Sequence, residues 1–291
     1  MMDFGTQKKS GAISSTEGLP IYYDCHLPEE YSEKSLPVII FVHGFKGFKD
    51  WGAFSEGCAF LSSAGFAVVA INFSLNGVGE SMSEFDELDR FSRETFSQDL
   101  DDLGSVIKAI KDGEINSGKA VLKSDSIGLI GHSRGGHTAV TAAAEYPEIS
   151  CLVTWSAVAN YNERWSEEMI TDWESKGVTE IKNGRTGQMM PLKKVVYDDA
   201  QANADRLMAD NRAGELAIPA MFIHSKGDEA VSYNNAEKLY QSCSSNKREL
   251  VLIPDSGHTF DTAHPFEEDD FPEAFQQVLR RTKQWFTDNL L

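Results

Sequence analysis

Gly131-His132-Ser133-Arg134-Gly135-Gly136 stands directly between the apolar run Ile127-Gly128-Leu129-Ile130 and an Ala-rich segment over 135–146. The run is short, apolar and bounded by small residues, as buried strands are, and the Ala-rich segment has the propensity of a helix. Passing from strand to helix in so few residues requires a tight turn with Ser133 at its strained apex. The glycines are then steric necessities, because side chains at 131 and 135 would collide with the neighbouring strand and helix.

The same alternation continues outward. Short runs at 38–42, 67–71, 151–155, 220–223 and 250–253 resemble the one at 127–130, and helices are predicted near 53–64, 92–112, 135–146, 233–243 and 271–289. Strands apolar on both sides, alternating with helices, predict an α/β fold: a mostly parallel, doubly wound sheet of about eight strands with helices on both faces. The start of the chain reads differently, as a hairpin of 11–15 and 19–23 around Thr16-Glu17-Gly18, hence an antiparallel edge. Residues 159–212 break the alternation and are too long for a crossover. Tyr161, Trp165, Met169 and Trp173 have rough helical spacing; 178–181 and 188–190 flank Asn183-Gly184, a hairpin signal; a second helix is predicted near 199–211. The expectation is one domain over 1–291 with a small inserted cap at 159–212.

Composition narrows the function classes. With 27 Lys and Arg against 45 Asp and Glu, the net charge is −18, which opposes binding to a nucleic-acid backbone. A hydrophobic fraction of 41%, with 17 Phe and 5 Trp, is ample for a packed core. Cys25, Cys58, Cys151 and Cys243 form no C-x-x-C pair, so free buried thiols are expected rather than a zinc site or disulfide framework. No apolar stretch follows Lys8-Lys9 and no run reaches membrane-span length, so the expected location is the cytoplasm, away from any membrane. Glu267-Glu268-Asp269-Asp270 lacks the alternation and Gly of a calcium loop and reads as a solvated face. Gly113 to Ala120 nearly matches a phosphate-binding loop, but Ala120 replaces the Ser or Thr and the segment follows a helix; a helix-ending turn is expected.

Chemistry enters with the G-x-S-x-G pattern at 131–135 in its strand–turn–helix setting. With it, the chain resembles the α/β-hydrolase superfamily from about residue 11 onward. His43-Gly44-Phe45-Lys46-Gly47-Phe48-Lys49-Asp50-Trp51, after the run 38–42, supports that resemblance, and with Phe73-Ser74-Leu75-Asn76-Gly77 it is similar to a capped dienelactone-hydrolase-like or serine esterase-peptidase branch. The resemblance implies oxyanion donors at the backbone N–H groups of Phe45 and Arg134, with the His43 side chain bonded to local backbone. It also implies the order Ser, Asp, His, met by Ser133, by Asp228 in His224-Ser225-Lys226-Gly227-Asp228 and by His258 in Asp255-Ser256-Gly257-His258. His264 rivals His258, and Glu229 and Asp255 rival Asp228. His132 and His224, at strand ends near the site, are assigned no catalytic role.

The expected reaction is cleavage of a small or medium carboxylic ester through an acyl-enzyme on Ser133, without metal or organic cofactor. A short-peptide serine peptidase, or a non-catalytic binding protein on this scaffold, are the alternatives. Lys46, Tyr161 and Trp165 are expected substrate contacts, although Tyr161, Trp165 and Trp173 could equally form the core of the cap. Lys46, Lys49 and Arg134 are expected to set the local field. The partner is a small ester or peptide, and nothing in the sequence indicates an oligomeric state.

Overall fold

The computed structural model describes residues 2–30 and 35–291. Its strands are β1 (Thr6–Ser14), β2 (Pro20–Pro28), β3 (Ser35–Val42), β4 (Ala67–Ile71), β5 (Val121–His132), β6 (Ile149–Trp155), β7 (Val178–Lys182), β8 (Met189–Lys193), β9 (Ala220–Ser225) and β10 (Arg248–Ile253). Eight of them form one sheet in the order β1-β2-β4-β3-β5-β6-β9-β10. β1 and β2 are antiparallel to their neighbours and every other pairing is parallel, so the early hairpin is indeed an antiparallel edge.

Burial on both faces explains why the strands read as continuous apolar runs. In β3, Val38, Ile40 and Val42 join one core cluster while Ile39 and Phe41 join the other. Helices Phe96–Asp112, Arg134–Glu145 and Asn234–Ser242 cover the first face; Phe54–Ser62 and Glu273–Leu290 cover the second. Thr95 caps the first of these by accepting from the Gln98 N–H at 3.2 Å. Gly113 ends it at φ 73°, which is why the glycine there belongs to a helix stop and not to a phosphate loop.

Residues 159–212 carry a 3₁₀ turn (Tyr161–Arg164), a helix (Glu167–Lys176), the β7–β8 hairpin and three short helices at Val195–Ala202, Ala204–Leu207 and Ala209–Arg212. The single helix expected near 199–211 is thus broken at Asn203 and Met208, both of which leave helical geometry. Asn183-Gly184 does not form a two-residue turn. The Asn183 side chain accepts from the Arg185 N–H at 3.0 Å, and the strands close one step later where the Asn183 N–H donates to Gln188 O at 2.8 Å. Trp173, Met190, Leu192 and Val196 pack with Phe48, Val78, Phe85 and Phe91, fastening this segment to the loops after β3 and β4.

At the β5–helix junction, backbones meet without room for side chains. A Cβ on Gly131 would lie 2.2 Å from Gly135 O, and one on Gly135 would lie 2.2 Å from His43 O. Beneath this junction Arg134 is buried. Its Nε and Nη2 donate to Asp99 Oδ2 at 2.9 and 2.7 Å, and Nη2 donates to Glu94 O at 2.9 Å. The Glu94 carboxylate stands 3.7 Å from Arg134 Nη1, and its Oε2 has no hydrogen-bond partner among the described residues. Burial therefore pushes the Glu94 carboxyl up to about 8, helped by Asp99 and Asp102 and opposed by Arg134. Asp99 is raised by burial to about 6, a rise opposed by the two Arg134 donors that share one of its oxygens.

Two outcomes follow. Gly135→Ala must drive a Cβ into the backbone of the β3 turn, so it should lower stability by about 3 kcal/mol or more, seen as a reduced urea midpoint. Glu94 binds its proton more tightly in the folded chain than in the unfolded one, so its contribution is complete at acid pH and fades as pH rises from the usual carboxyl range through about 8. Urea unfolding from pH 5 to 8.5 should show stability falling by up to about 1.4 kcal/mol per pH unit from this group, a slope that Glu94→Gln removes.

Candidate active site

The site lies where chain order reverses across the sheet: β3 is flanked by β4 on one side and β5 on the other, the position at which open α/β sheets bind ligands. Ser133 follows β5 with φ 56° and ψ −119°, a conformation costing about 1–3 kcal/mol that the surroundings must enforce. Its N–H donates to Trp155 O at 2.8 Å, and its carbonyl accepts from the N–H groups of Gly136, His137 and Val158. The turn after β3 comes so near that a Cβ on Gly44 would stand 2.8 Å from Ser133 Cβ.

Asp228 follows β9 and His258 follows β10. The structure brings Asp228 Oδ2 within 2.7 Å of His258 Nδ1, so Nδ1–H donates and Nε2 is left as the acceptor. The other Asp228 oxygen accepts from the N–H groups of Ala230 and Val231 at 2.9 and 2.8 Å. Burial would raise this carboxyl, but the bonds from His224 and His258 prevail and hold it well below the usual carboxylate range. Neither Glu229 nor Asp255 is hydrogen-bonded to His258 among the described residues. His264 is used elsewhere, its Nδ1 accepting from the Gly52 N–H at 3.0 Å. Ser133 and His258 line one cavity; no hydrogen bond is closed between them, a contact that such sites often tighten only around substrate.

His224 is the residue that sequence reading passed over. Its Nε2 lies 3.1 Å from Asp228 Oδ2 and 2.9 Å from Val231 O, so Nε2 carries the proton and donates to both acceptors. The Asp228 carboxylate is thereby held by two imidazoles. The only signal was that His224 stands near the end of a strand, four residues before Asp228. His132 has a positioning role too: Nε2–H donates to the carbonyl of His258 at 3.1 Å, while burial and the neighbouring His258 push its pKa down to about 3, keeping it neutral.

His43 also behaves as its turn position implies. Nδ1–H donates to Gly44 O at 2.8 Å while Nε2 accepts from the Phe73 N–H at 3.4 Å, fixing the turn that carries Phe45. Neither the Phe45 nor the Arg134 N–H is donated to another group among the described residues. The two residues are joined through the Arg134 side chain, whose guanidinium lies 5.4 Å from the Phe45 ring centroid and 4.1 Å from that of Phe96.

The cavity has a volume of about 390 Å³. Phe45, Phe96, Val158, Trp165, Met169, Ile181, Leu192, Val196 and Val231 give it an apolar wall, and Lys46 and Tyr161 also line it. Tyr161 is nonetheless buried, its hydroxyl donating to Ala200 O at 2.6 Å, and Trp173 does not line the cavity but is buried in the cluster that joins 159–212 to the loops after β3 and β4. Two field-setting assignments change. Lys49 does not line the cavity; it is buried against Asp24 at 2.5 Å and against Asp50. The Arg134 charge is neutralised by Asp99. The arrangement of an elbow serine, an Asp-oriented imidazole and two undonated backbone N–H groups is one that supports acyl transfer. Among the described residues no group of His, Cys, Asp and Glu has the arrangement of a metal site, and no helix is long and apolar enough to cross a membrane.

Comparison with known proteins agrees with this architecture. The chain is 25% identical over 238 residues to YitV of Bacillus subtilis (strain 168), which carries an esterase's name, covering 81% of this chain and 84% of that one. It is 27% identical over 234 residues to an acyl transferase of Photobacterium leiognathi, covering 79% and 68%. Among solved structures, Est1E of Butyrivibrio proteoclasticus with bound ferulic acid superposes with a TM-score of 0.72 at 20% identity, covering 96% of this chain and 99% of that one, a likeness of fold. Residues 52–276 match the Prolyl oligopeptidase family (Peptidase_S9), well over half of the chain, and with the eight-stranded sheet around its elbow this establishes the protein as an α/β hydrolase belonging to that family.

Proposed function

We propose that the protein is a serine hydrolase that cleaves a small or medium carboxylic ester through an acyl-enzyme. The observation that carries this reading is the 2.7 Å Asp228–His258 contact on the cavity that Ser133 also lines. His258 Nε2 takes the Ser133 proton as Oγ attacks the carbonyl carbon, and Asp228 stabilises the imidazolium. The N–H groups of Phe45 and Arg134 hold the oxyanion, each lowering the barrier by about 3 kcal/mol. His258 then protonates the leaving alcohol, and water, activated by the same imidazole, releases the acid. The segment 159–212 acts as a cap, since Tyr161, Trp165, Met169, Ile181, Leu192 and Val196 wall the cavity. Four buried, unpaired cysteines support a reducing, cytoplasmic setting.

Family membership favours one second reading, cleavage of short peptides. The cavity wall argues for the ester: no Asp or Glu lines it among the described residues, leaving no carboxylate there for a peptide's terminal ammonium. A panel of p-nitrophenyl esters and aminoacyl anilides separates the two. Wild type should turn over esters faster than anilides, and Ser133→Ala should lose at least about a thousandfold in kcat. A fluorophosphonate should label wild type at Ser133, and His264→Gln should still label whereas His258→Gln should not. Labelling that persists in Ser133→Ala, or a panel on which wild type and Ser133→Ala are equally inert, overturns the proposal.

A further inference from the structure

In a chain of net charge −18, every charged side chain among the described residues on the cavity wall that also carries Ser133 is basic: Lys46, Arg134 and Arg164. Asp99 cancels the charge of Arg134, and Asp228 stands fully buried behind His258. Lys46 and Arg164 have no such partner: among the described residues neither is in an ion pair. Each donates to one backbone carbonyl, Lys46 Nζ to Lys182 O at 3.3 Å and Arg164 Nη1 to Ala230 O at 2.9 Å. These bonds fix the two heads at the cavity and leave most of their N–H groups undonated, two on the ammonium and four on the guanidinium.

The pair is electrostatically unfavourable as it stands. Half-burial strips water from Lys46, and the Arg164 charge acts on it in the same direction, both pushing its pKa down. Lys46 is half-buried and Arg164 is exposed, and two like charges on one cavity wall without a counter-ion are relieved by a bound anion. A guanidinium fork beside a point-charge ammonium matches the two oxygens of a carboxylate. The two side chains come from separate parts of the fold, Lys46 next to the oxyanion turn and Arg164 from the 3₁₀ turn of the inserted segment, so the anion would bridge hydrolase core and cap.

We propose that Lys46 and Arg164 form a carboxylate subsite, and that the substrate is an ester one half of which ends in a carboxylate. This rests on the reading of Ser133 as nucleophile. It also reverses the inference that the overall negative charge would draw, because charge at the wall acts at contact distance while the rest is screened.

The test compares matched pairs: mono-p-nitrophenyl adipate with its methyl ester, which places the charge on the acyl half, and acetoxybenzoate with its methyl ester, which places it on the alcohol half. In at least one pair the carboxylate member should have a kcat/KM about tenfold or more above its neutral partner, expressed mainly in KM. That ratio should fall about tenfold in Arg164→Gln and in Lys46→Gln. Each ratio is taken within one protein, so partial misfolding of a variant cancels. Wild type that hydrolyses the neutral esters and labels at Ser133, yet shows no carboxylate preference or one that both variants retain, overturns the subsite while leaving the serine hydrolase standing. Wild type that hydrolyses none of the four and takes no fluorophosphonate overturns both.

Discussion

The approach of three backbones at one point governs this molecule. The end of β3, the end of β5 and the first turn of helix Arg134–Glu145 come so close that Gly44, Gly131, Gly135 and Gly136 each lack room for a Cβ. That contact holds Ser133 at φ 56° and presents it beside the turn carrying Phe45. Strain in a single residue is tolerable here because both core clusters, one on each face of the sheet, hold the strands that create the junction. Ser133 and the turn that carries Phe45 are therefore placed by main chain rather than by side-chain choice.

Side chains then adjust what the backbone has placed. Arg134, at the cavity wall, reaches to Asp99 and Glu94, and its guanidinium lies over Phe45 and Phe96, so the turn after β3 and the start of the helix after β5 share one contact. Asp228 is organised in the same manner, accepting from His224 and His258 through one oxygen and from two backbone N–H groups through the other. Burial of these carboxylates has opposite results. Asp228 is surrounded by donors and stays ionised, while Glu94 has one distant cation and holds its proton near neutrality.

The charge balance also separates by scale. The excess of carboxylates across the chain describes the surface at large, whereas among the described residues the cavity wall carries Lys46, Arg134 and Arg164 and no Asp or Glu. Lys49, close in sequence to Phe45, is drawn into an ion pair with Asp24 of β2, a partner from the antiparallel edge. Proximity in sequence placed Lys46 at the cavity and misplaced Lys49, because a turn sends residues three apart to different sides.

By itself the sequence determined what local sterics and alternation can express. The strand runs, the antiparallel first hairpin, the elbow at 131–136 and the strand-end positions of Asp228 and His258 all follow from which residues tolerate a buried strand or a glycine-only turn. Tertiary structure alone decided that Asp228 rather than Glu229 or Asp255 meets His258, that His224 shares its carboxylate, and that His264 is occupied by Gly52. It alone decided that Arg134 turns inward and that Arg164, from the insertion, reaches the cavity. Which side chains meet depends on strand order and on how 159–212 folds back over the sheet, and those are set by burial summed over the whole core, a quantity no short stretch of sequence contains.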